Sequence, residues 1–301
     1  MDQLLVEKPA SAPTGKPEPG IADYARSFAS GKSSSVAVTE ECLSRIDDPA
    51  GEGKRAFVKV WDADARAAAR AQDALRKANY VASPLAGIPI SVKDMLDVAG
   101  EITLAGTKAL DDAPPAVEDA PVVRRLKAAG AVLTGRTNMA QFAFSIVGLN
   151  PHFGTPGNPW DRNRIPGGSS SGAAVSVADG MSIAAIGSDT VGSIRAPAAL
   201  CGVVGLKPTQ KAVPLTGTIP LSVTLDSVGP LARNVADCSL VHAAISGEPW
   251  RALQPIGLQG LRLAIPQTRV LDDLSTEVAQ AFERAASRLS AAGARLSDTH
   301  F

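Results

Sequence analysis

The sequence predicts an α/β fold in which a β-sheet is covered by helices, and two observations carry that reading. Apolar patterns at helical spacing alternate with short β-branched runs along the chain, and one helix–glycine–strand phrase, LKAAGAVL at 126–133, returns as LSAAGARL at 289–296. A helix that closes on glycine and steps directly into a strand folds back onto that strand's sheet, so the repeated phrase indicates one αβ unit used twice. Composition agrees: 45% of the 301 residues are hydrophobic and only 4% aromatic, so Ala, Val, Leu and Ile must build the core.

Residues 1–20 mix Pro9, Pro13, Gly15, Pro17, Pro19 and Gly20 with scattered charges. Such a segment cannot bury enough apolar surface to pack, and a flexible arm is expected there, with one domain running from Ile21 to Phe301. A helix is expected from Ser35 behind a serine N-cap, with Val36, Val38, Cys42, Leu43 and Ile46 near helical spacing, and 63–78 reads as an Ala-rich helix with Arg and Asp outward. LAGIPISV at 85–92 predicts a strand leading out of a turn, with Lys93 at its end. Asp119 is placed to cap a helix carrying Pro121, Val122, Val123 and Leu126, which Gly130 closes before the strand AVLTG. IAAI at 183–186 predicts a buried strand broken at Gly187. The second copy of the αβ phrase is followed by five residues, where a strand is expected to be entering the sheet, so the domain is expected to be incomplete at its C-terminal end.

Thirty basic and thirty acidic side chains cancel, which excludes a global field drawing the chain to nucleic acid or anionic lipid. Every candidate run of about eighteen apolar residues is interrupted by Gly, Pro or a charge, so no membrane span is expected. The N-terminal residues lack the apolar core of a signal peptide, and a cytoplasmic location is expected. Cys42, Cys201 and Cys238 are odd in number, far apart and without C-x-x-C spacing, so they predict buried thiols, with neither a disulfide framework nor a zinc site.

Chemistry concentrates in PGGSSSGAAVSVADG at 166–180 and IAAIGSDTVGSIR at 183–195. A strand ending in a glycine-containing loop, with Ser193 behind a run of backbone N–H groups, can hold an acyl-transfer nucleophile beside an oxyanion hole. The base is the open question. GSSSG at 168–172 matches G-x-S-x-G around Ser170, but a nucleophile elbow needs a strand before it. NPWDRNRIP at 158–166, with two prolines and three charges, cannot be one. His152, His242 and His300 are the histidines available. Lysine is the other base open to serine if burial depresses its pKa, and Lys93 follows apolar Ile88, Ile90 and Val92.

GIPISVKD at 87–94, GGSSSG at 167–172 and GSDTVGSIRAPAALCGVVGLKPT at 187–209, with GTPGNPWD at 154–161 between them, closely resemble the amidase signature family. The resemblance runs from about Asp23 to the C-terminus. It implies a mixed β-sheet core with helices on both faces, Lys93 as base, Ser169 as a bridging serine on a cis peptide bond, and Ser193 as nucleophile; the spacing from Ser169 to Ser193 is the family's. It further implies an oxyanion hole from the backbone of Thr190, Val191, Gly192 and Ser193, with Ser170, Asp189 and Arg195 in support. The implied reaction is hydrolysis of the C–N bond of a small carboxamide to carboxylate and ammonia or an amine, requiring neither metal nor organic cofactor, with the amide as partner and a homo-oligomer left open. The A subunit of a tRNA-dependent amidotransferase and a non-catalytic truncated relative are the alternatives. Two departures stand out: Val191 where the family usually has glycine, which is expected to strain the loop if its φ is positive, and Gln141 where relatives often have Glu.

Overall fold

Four strands are buried along their whole length and form the middle of the sheet: β2 (Pro89–Lys93), β3 (Val132–Thr137), β4 (Ala184–Asp189) and β6 (Ser227–Ala232). Together with β1 (Phe57–Val60) and the two-residue β5 (Val204–Gly205) they make a six-stranded sheet in the order β1-β3-β2-β4-β6-β5. The computed structural model describes residues 19–300; the arm expected over 1–20 lies outside them except for Pro19 and Gly20. The chain divides into two compact units, one ending at Arg251 and one starting at Ala252.

In the first unit β2 runs parallel to both β3 and β4, whereas β1, β6 and β5 join antiparallel, so the sheet is mixed. Parallel neighbours need crossovers, and helices supply them: α5 (Pro121–Ala128) between β2 and β3, and α6 (Ser171–Ala178) between β3 and β4. Alternate residues of β2 and β4 go to opposite layers. Ile90, Val92, Ala184 and Ile186 share a core with Val122, Val123 and Leu126 of α5 and with Val241 and Ile245 of α8 (Val235–Ser246). Ala185 joins Ala173, Ala174 and Val177 of α6 and Ala198 of α7 (Arg195–Cys201), and Ser91 Oγ meets Ser176 Oγ of α6 at 3.1 Å. Helices therefore cover both faces. α1 (Ile21–Ala29), α2 (Ser35–Asp47), the single turn α3 (Gly53–Ala56) and α4 (Asp62–Lys77) complete the unit.

Small residues let α6 sit close to the sheet. A Cβ on Gly172 would meet the Ala56 carbonyl oxygen at 2.2 Å and the Asn138 nitrogen at 2.7 Å, so only glycine fits.

α2 starts at Ser35 behind a serine N-cap, as expected: Ser34 accepts the Ala37 N–H at 3.0 Å, while Ser35 is buried and its hydroxyl donates to the Gly87 carbonyl at 2.8 Å. Two other local expectations change. Asp119 does not cap α5: Ala120 holds that position, and the Asp119 carboxylate instead accepts the Ala99 N–H and pairs with Lys127 at 2.8 Å. Gly187 does not break β4, which continues to Asp189 with Gly187 opposite Gly229 on β6. Its missing side chain serves a close approach, because a Cβ there would lie 2.8 Å from Ser170 Oγ.

The second unit contains β7 (Arg262–Pro266), α9 (Thr276–Ala291) and β8 (Arg295–Thr299), with β7 and β8 parallel. The repeated phrase folds the same way twice. The Gly130 and Gly293 N–H groups bond back to Lys127 and Ser290, and the Ala131 and Ala294 N–H groups to Leu126 and Leu289, in both cases with the glycine left-handed at φ 83° and 99°.

Cys42, Cys201 and Cys238 are free, buried thiols, each pushed up to about 12 by burial. Among the described residues, no helix is long and apolar enough to cross a membrane.

Candidate active site

The parallel neighbours β2 and β4 end at Lys93 and Asp189, and from these ends the chain goes on to β3 on one side of the pair and to β5 on the other. A crevice outside the carboxyl ends of strands at such a reversal is where α/β sheets place ligands. Lys93 is wholly buried, its Nζ 2.6 Å from Ser169 Oγ and 2.8 Å from Ser188 Oγ. Burial pushes the Lys93 ammonium down to about 7, against the pull of the Asp189 and Asp226 carboxylates, which favour the charged form. A lysine in this state has a lone pair to offer near neutral pH. Asp94, the next residue, is also buried; it accepts the Leu104 and Gly106 N–H groups at 3.3 and 3.0 Å and faces Arg136 at 3.5 Å. Burial outweighs these partners and pushes its carboxyl up to about 6.

Ser169 follows a cis peptide bond from Gly168. Its carbonyl accepts the Ala140 N–H at 3.0 Å, and the Gly168 N–H donates to Ile146 at 2.8 Å, so the serine loop is laced to the 140–150 segment. That segment is organised by two buried amides. Asn150 Nδ2 donates to Gly106, Met139 and Asn138 Oδ1 at 2.8, 2.7 and 3.1 Å; Asn138 Nδ2 donates to the Arg55 and Gly154 carbonyls at 2.8 and 2.7 Å, and its carbonyl accepts from Gly172. Gln141, the departure noted above, donates to Thr107 Oγ1 at 3.1 Å. Phe142 and Ala143 are left-handed at φ 49° and 59°, a backbone cost non-glycine residues carry when surroundings force it. An open groove of about 580 Å³ lies here, lined by Ala140, Phe142, Phe144, Val147, Leu149 and Leu221 among others.

Ser193 is buried to 2% exposure in the loop between β4 and α7, and its carbonyl accepts the Ser170 N–H at 3.2 Å, which brings residue 193 beside the 169–170 turn. Ser170 also exchanges bonds with Ser188, its hydroxyl donating to the Ser188 carbonyl at 3.2 Å and accepting the Ser188 N–H at 3.3 Å. Asp189 organises the Ser193 loop from within. It accepts the N–H groups of Gly192, Ile194 and Arg195 at 2.8, 3.0 and 3.3 Å and is gripped by two nitrogens of the Arg195 guanidinium at 3.0 and 2.8 Å. Burial alone would raise the Asp189 carboxyl, but these donors win and hold it below its usual range.

The Gly192 N–H, expected among the oxyanion donors, thus points at Asp189, leaving Thr190, Val191 and Ser193 as candidates. Positive φ falls on Gly192, at 142°, and not on Val191, so the valine carries no left-handed strain. Ser188 and Asp226 complete the site and were not singled out in the sequence. Ser188 sits one residue before Asp189, the only cue to its place. Asp226 precedes an apolar strand in LDSVGP, a position no different in pattern from an ordinary turn aspartate.

The sequence profile of the amidase family matches residues 37–301. The chain is 42% identical over 245 residues to 2-amino-5-chloromuconic acid deaminase of Comamonas testosteroni, covering 79% of this chain and 52% of that protein. It is 41% identical over 290 residues to the A subunit of glutamyl-tRNA(Gln) amidotransferase from Roseiflexus castenholzii, covering 92% and 58%. Among solved structures, native peptide amidase from Stenotrophomonas maltophilia superposes with a TM-score of 0.84 at 37% identity, over 94% of this chain and 62% of that one. Fatty acid amide hydrolase gives 0.86 at 27% identity, over 94% and 52%. The chain therefore spans between about half and two thirds of the length of these relatives. A family profile matched across most of its length, on a fold that superposes on solved amidases, establishes that the chain belongs to the amidase family.

Proposed function

We propose that this chain carries the catalytic machinery of an amidase that cleaves the C–N bond of a small carboxamide through an acyl-enzyme on Ser193. The observation that carries the reading is the buried contact of Lys93 with Ser169, next to the loop that bears Ser193. Neutral Lys93 takes the Ser169 hydroxyl proton as Ser169 takes that of Ser193, and the Ser193 oxygen attacks the amide carbon. Backbone N–H groups of Thr190, Val191 and Ser193 receive the charge that develops on the carbonyl oxygen. The proton returns along the same path to the leaving nitrogen, the C–N bond breaks, and ammonia or an amine departs. Water, deprotonated by the same relay, then splits the ester to carboxylate and restores Ser193. The apolar groove along Phe142, Phe144 and Leu149 suits the acyl portion of the substrate. Three unpaired thiols suit a reducing compartment, so the reading includes a cytoplasmic location.

The test is covalent trapping: a fluorophosphonate adduct mapped by mass spectrometry to Ser193, together with release of ammonia from a panel of primary amides. An adduct on Ser170 or elsewhere overturns the assignment. A second reading, the glutamine-hydrolysing part of an amidotransferase, is favoured by the likeness to the Roseiflexus castenholzii protein. Ammonia released only from glutamine, and only with partner subunits present, would select it.

A further inference from the structure

The loop that bears Ser193 is held at two ends by two buried carboxylates. Asp189 takes the N–H groups of Gly192, Ile194 and Arg195. Asp226, 7% exposed and just ahead of β6, takes the other end: Thr190 Oγ1 donates to its Oδ1 at 2.5 Å, and the Leu221 and Ser222 N–H groups donate to its Oδ2 at 2.8 and 2.9 Å. The two carboxylates differ in how their charge is met. Asp189 is paired with Arg195 through a forked contact. Asp226 meets only the O–H and N–H dipoles just named, and among the described residues no Lys, Arg or His stands within ion-pair distance of it.

We propose that Asp226 is a positioning residue of this site: through the Thr190 hydroxyl it fixes the start of the Ser193 loop, and it presents to Lys93 a carboxylate charge that no cation among the described residues pairs with. The inference rests on the amidase reading above. Thr190 is the first candidate oxyanion donor, and a donor displaced by a fraction of an ångström loses much of its worth to a developing charge. The charged groups that face Lys93 are Asp189 at the end of β4 and Asp226 ahead of β6, both favouring the ammonium, Asp189 the more strongly. Asp226 therefore has a geometric effect, exerted through Thr190, and an electrostatic one, exerted directly on Lys93, and separate substitutions reach each.

Removing the Asp226 charge lets Lys93 lose its proton at lower pH, so the acidic limb of the rate profile moves down. Removing the Thr190 hydroxyl leaves the charge and hence the limb, but frees the loop. The experiment compares the wild-type chain with Asp226→Asn, Thr190→Val and Thr190→Ser. It reads the pH dependence of kcat/KM on a primary amide and of Ser193 labelling by a fluorophosphonate, with circular dichroism to check the fold. Asp226→Asn is expected to move the acidic limb of both profiles down by about half a pH unit or more. Thr190→Val is expected to lower kcat about tenfold, with KM within about twofold and the limb unmoved, while Thr190→Ser keeps kcat. A limb that stays in place in folded Asp226→Asn, or full kcat in Thr190→Val, overturns the proposal. If Asp226→Asn fails to fold, Thr190→Val with its serine rescue decides alone. A wild type that labels normally while the variants match it sinks only the role of Asp226; a wild type that neither labels nor hydrolyses sinks the amidase reading with it.

Discussion

The Nζ of Lys93 lies 2.6 Å from the Oγ of Ser169, and neither side chain touches solvent. A lysine in that position cannot keep its proton as a surface lysine does, because burial penalises the ammonium and only the Asp189 and Asp226 charges counter it. Activity on an amide is therefore expected to rise as pH passes through about 7, where Lys93 gives up its proton. Lys93→Ala and Ser169→Ala should each cost nearly as much rate as the double variant, since members of one relay act as a unit. Measured rates that add independently would break the relay.

Ser193→Ala should abolish amide hydrolysis and fluorophosphonate labelling while leaving the melting temperature within a few degrees, because a single hydroxyl is removed and little cavity remains. Labelling that persists in this variant at another serine would be incompatible with Ser193 as nucleophile.

Lys93 also predicts a stability signature with a definite sign. Its folded pKa is about 7 against an ordinary 10.5, so between these values the unfolded chain binds more protons and the stability of the wild type rises with pH. Lys93→Met removes the group that titrates. The variant's stability advantage should be largest and constant below about pH 7 and should shrink by an amount on the order of a few kcal/mol by about pH 10, read from denaturant melts across that range. A pH-independent difference would mean that Lys93 is not desolvated in solution.

At Val191 the expected outcome is no gain from glycine. Positive φ belongs to Gly192, and the Val191 side chain, 69% exposed, makes few contacts to lose. Val191→Gly should leave kcat unchanged or lower and cost about 0.5–1 kcal/mol of stability through the freer unfolded chain. A clear rise in kcat would show that the valine does constrain the oxyanion donors.

Asn138→Ala should destabilise the chain by about 2–4 kcal/mol, because the Arg55 and Gly154 carbonyls and Asn150 Nδ2 lose buried partners together. Chemical denaturation measures it directly, and a loss below about 0.5 kcal/mol would mean that water or repacking replaces the amide.

Much of this molecule can be read before it folds, and the divide follows interaction range. Helix-to-strand steps closed by Gly130 and Gly293 are local chemistry, and they emerge as written. Lys93, Ser169 and Ser193 were placed together by motif resemblance, and the fold puts the first two in contact and the third beside the 169–170 turn. Contacts across the sheet were out of reach. Gly187 reads as a strand breaker because a sequence does not show Ser170 pressing on it; Asp119 reads as a cap because nothing local reveals Ala99. The same holds for Ser188 and Asp226, whose importance comes from what strand pairing carries to them, and for the Gly192 N–H, which Asp189 claims.

The three thiols have a practical bearing on how the chain can be studied. Cys42, Cys201 and Cys238 are buried and hold their protons to about 12, so alkylating reagents at neutral pH have almost no thiolate to attack. A cysteine introduced at an exposed position, such as Val223, would be the reactive one on an otherwise silent background. Fluorescent or spin probes can thus be attached at a chosen point without first stripping out the native sulfur.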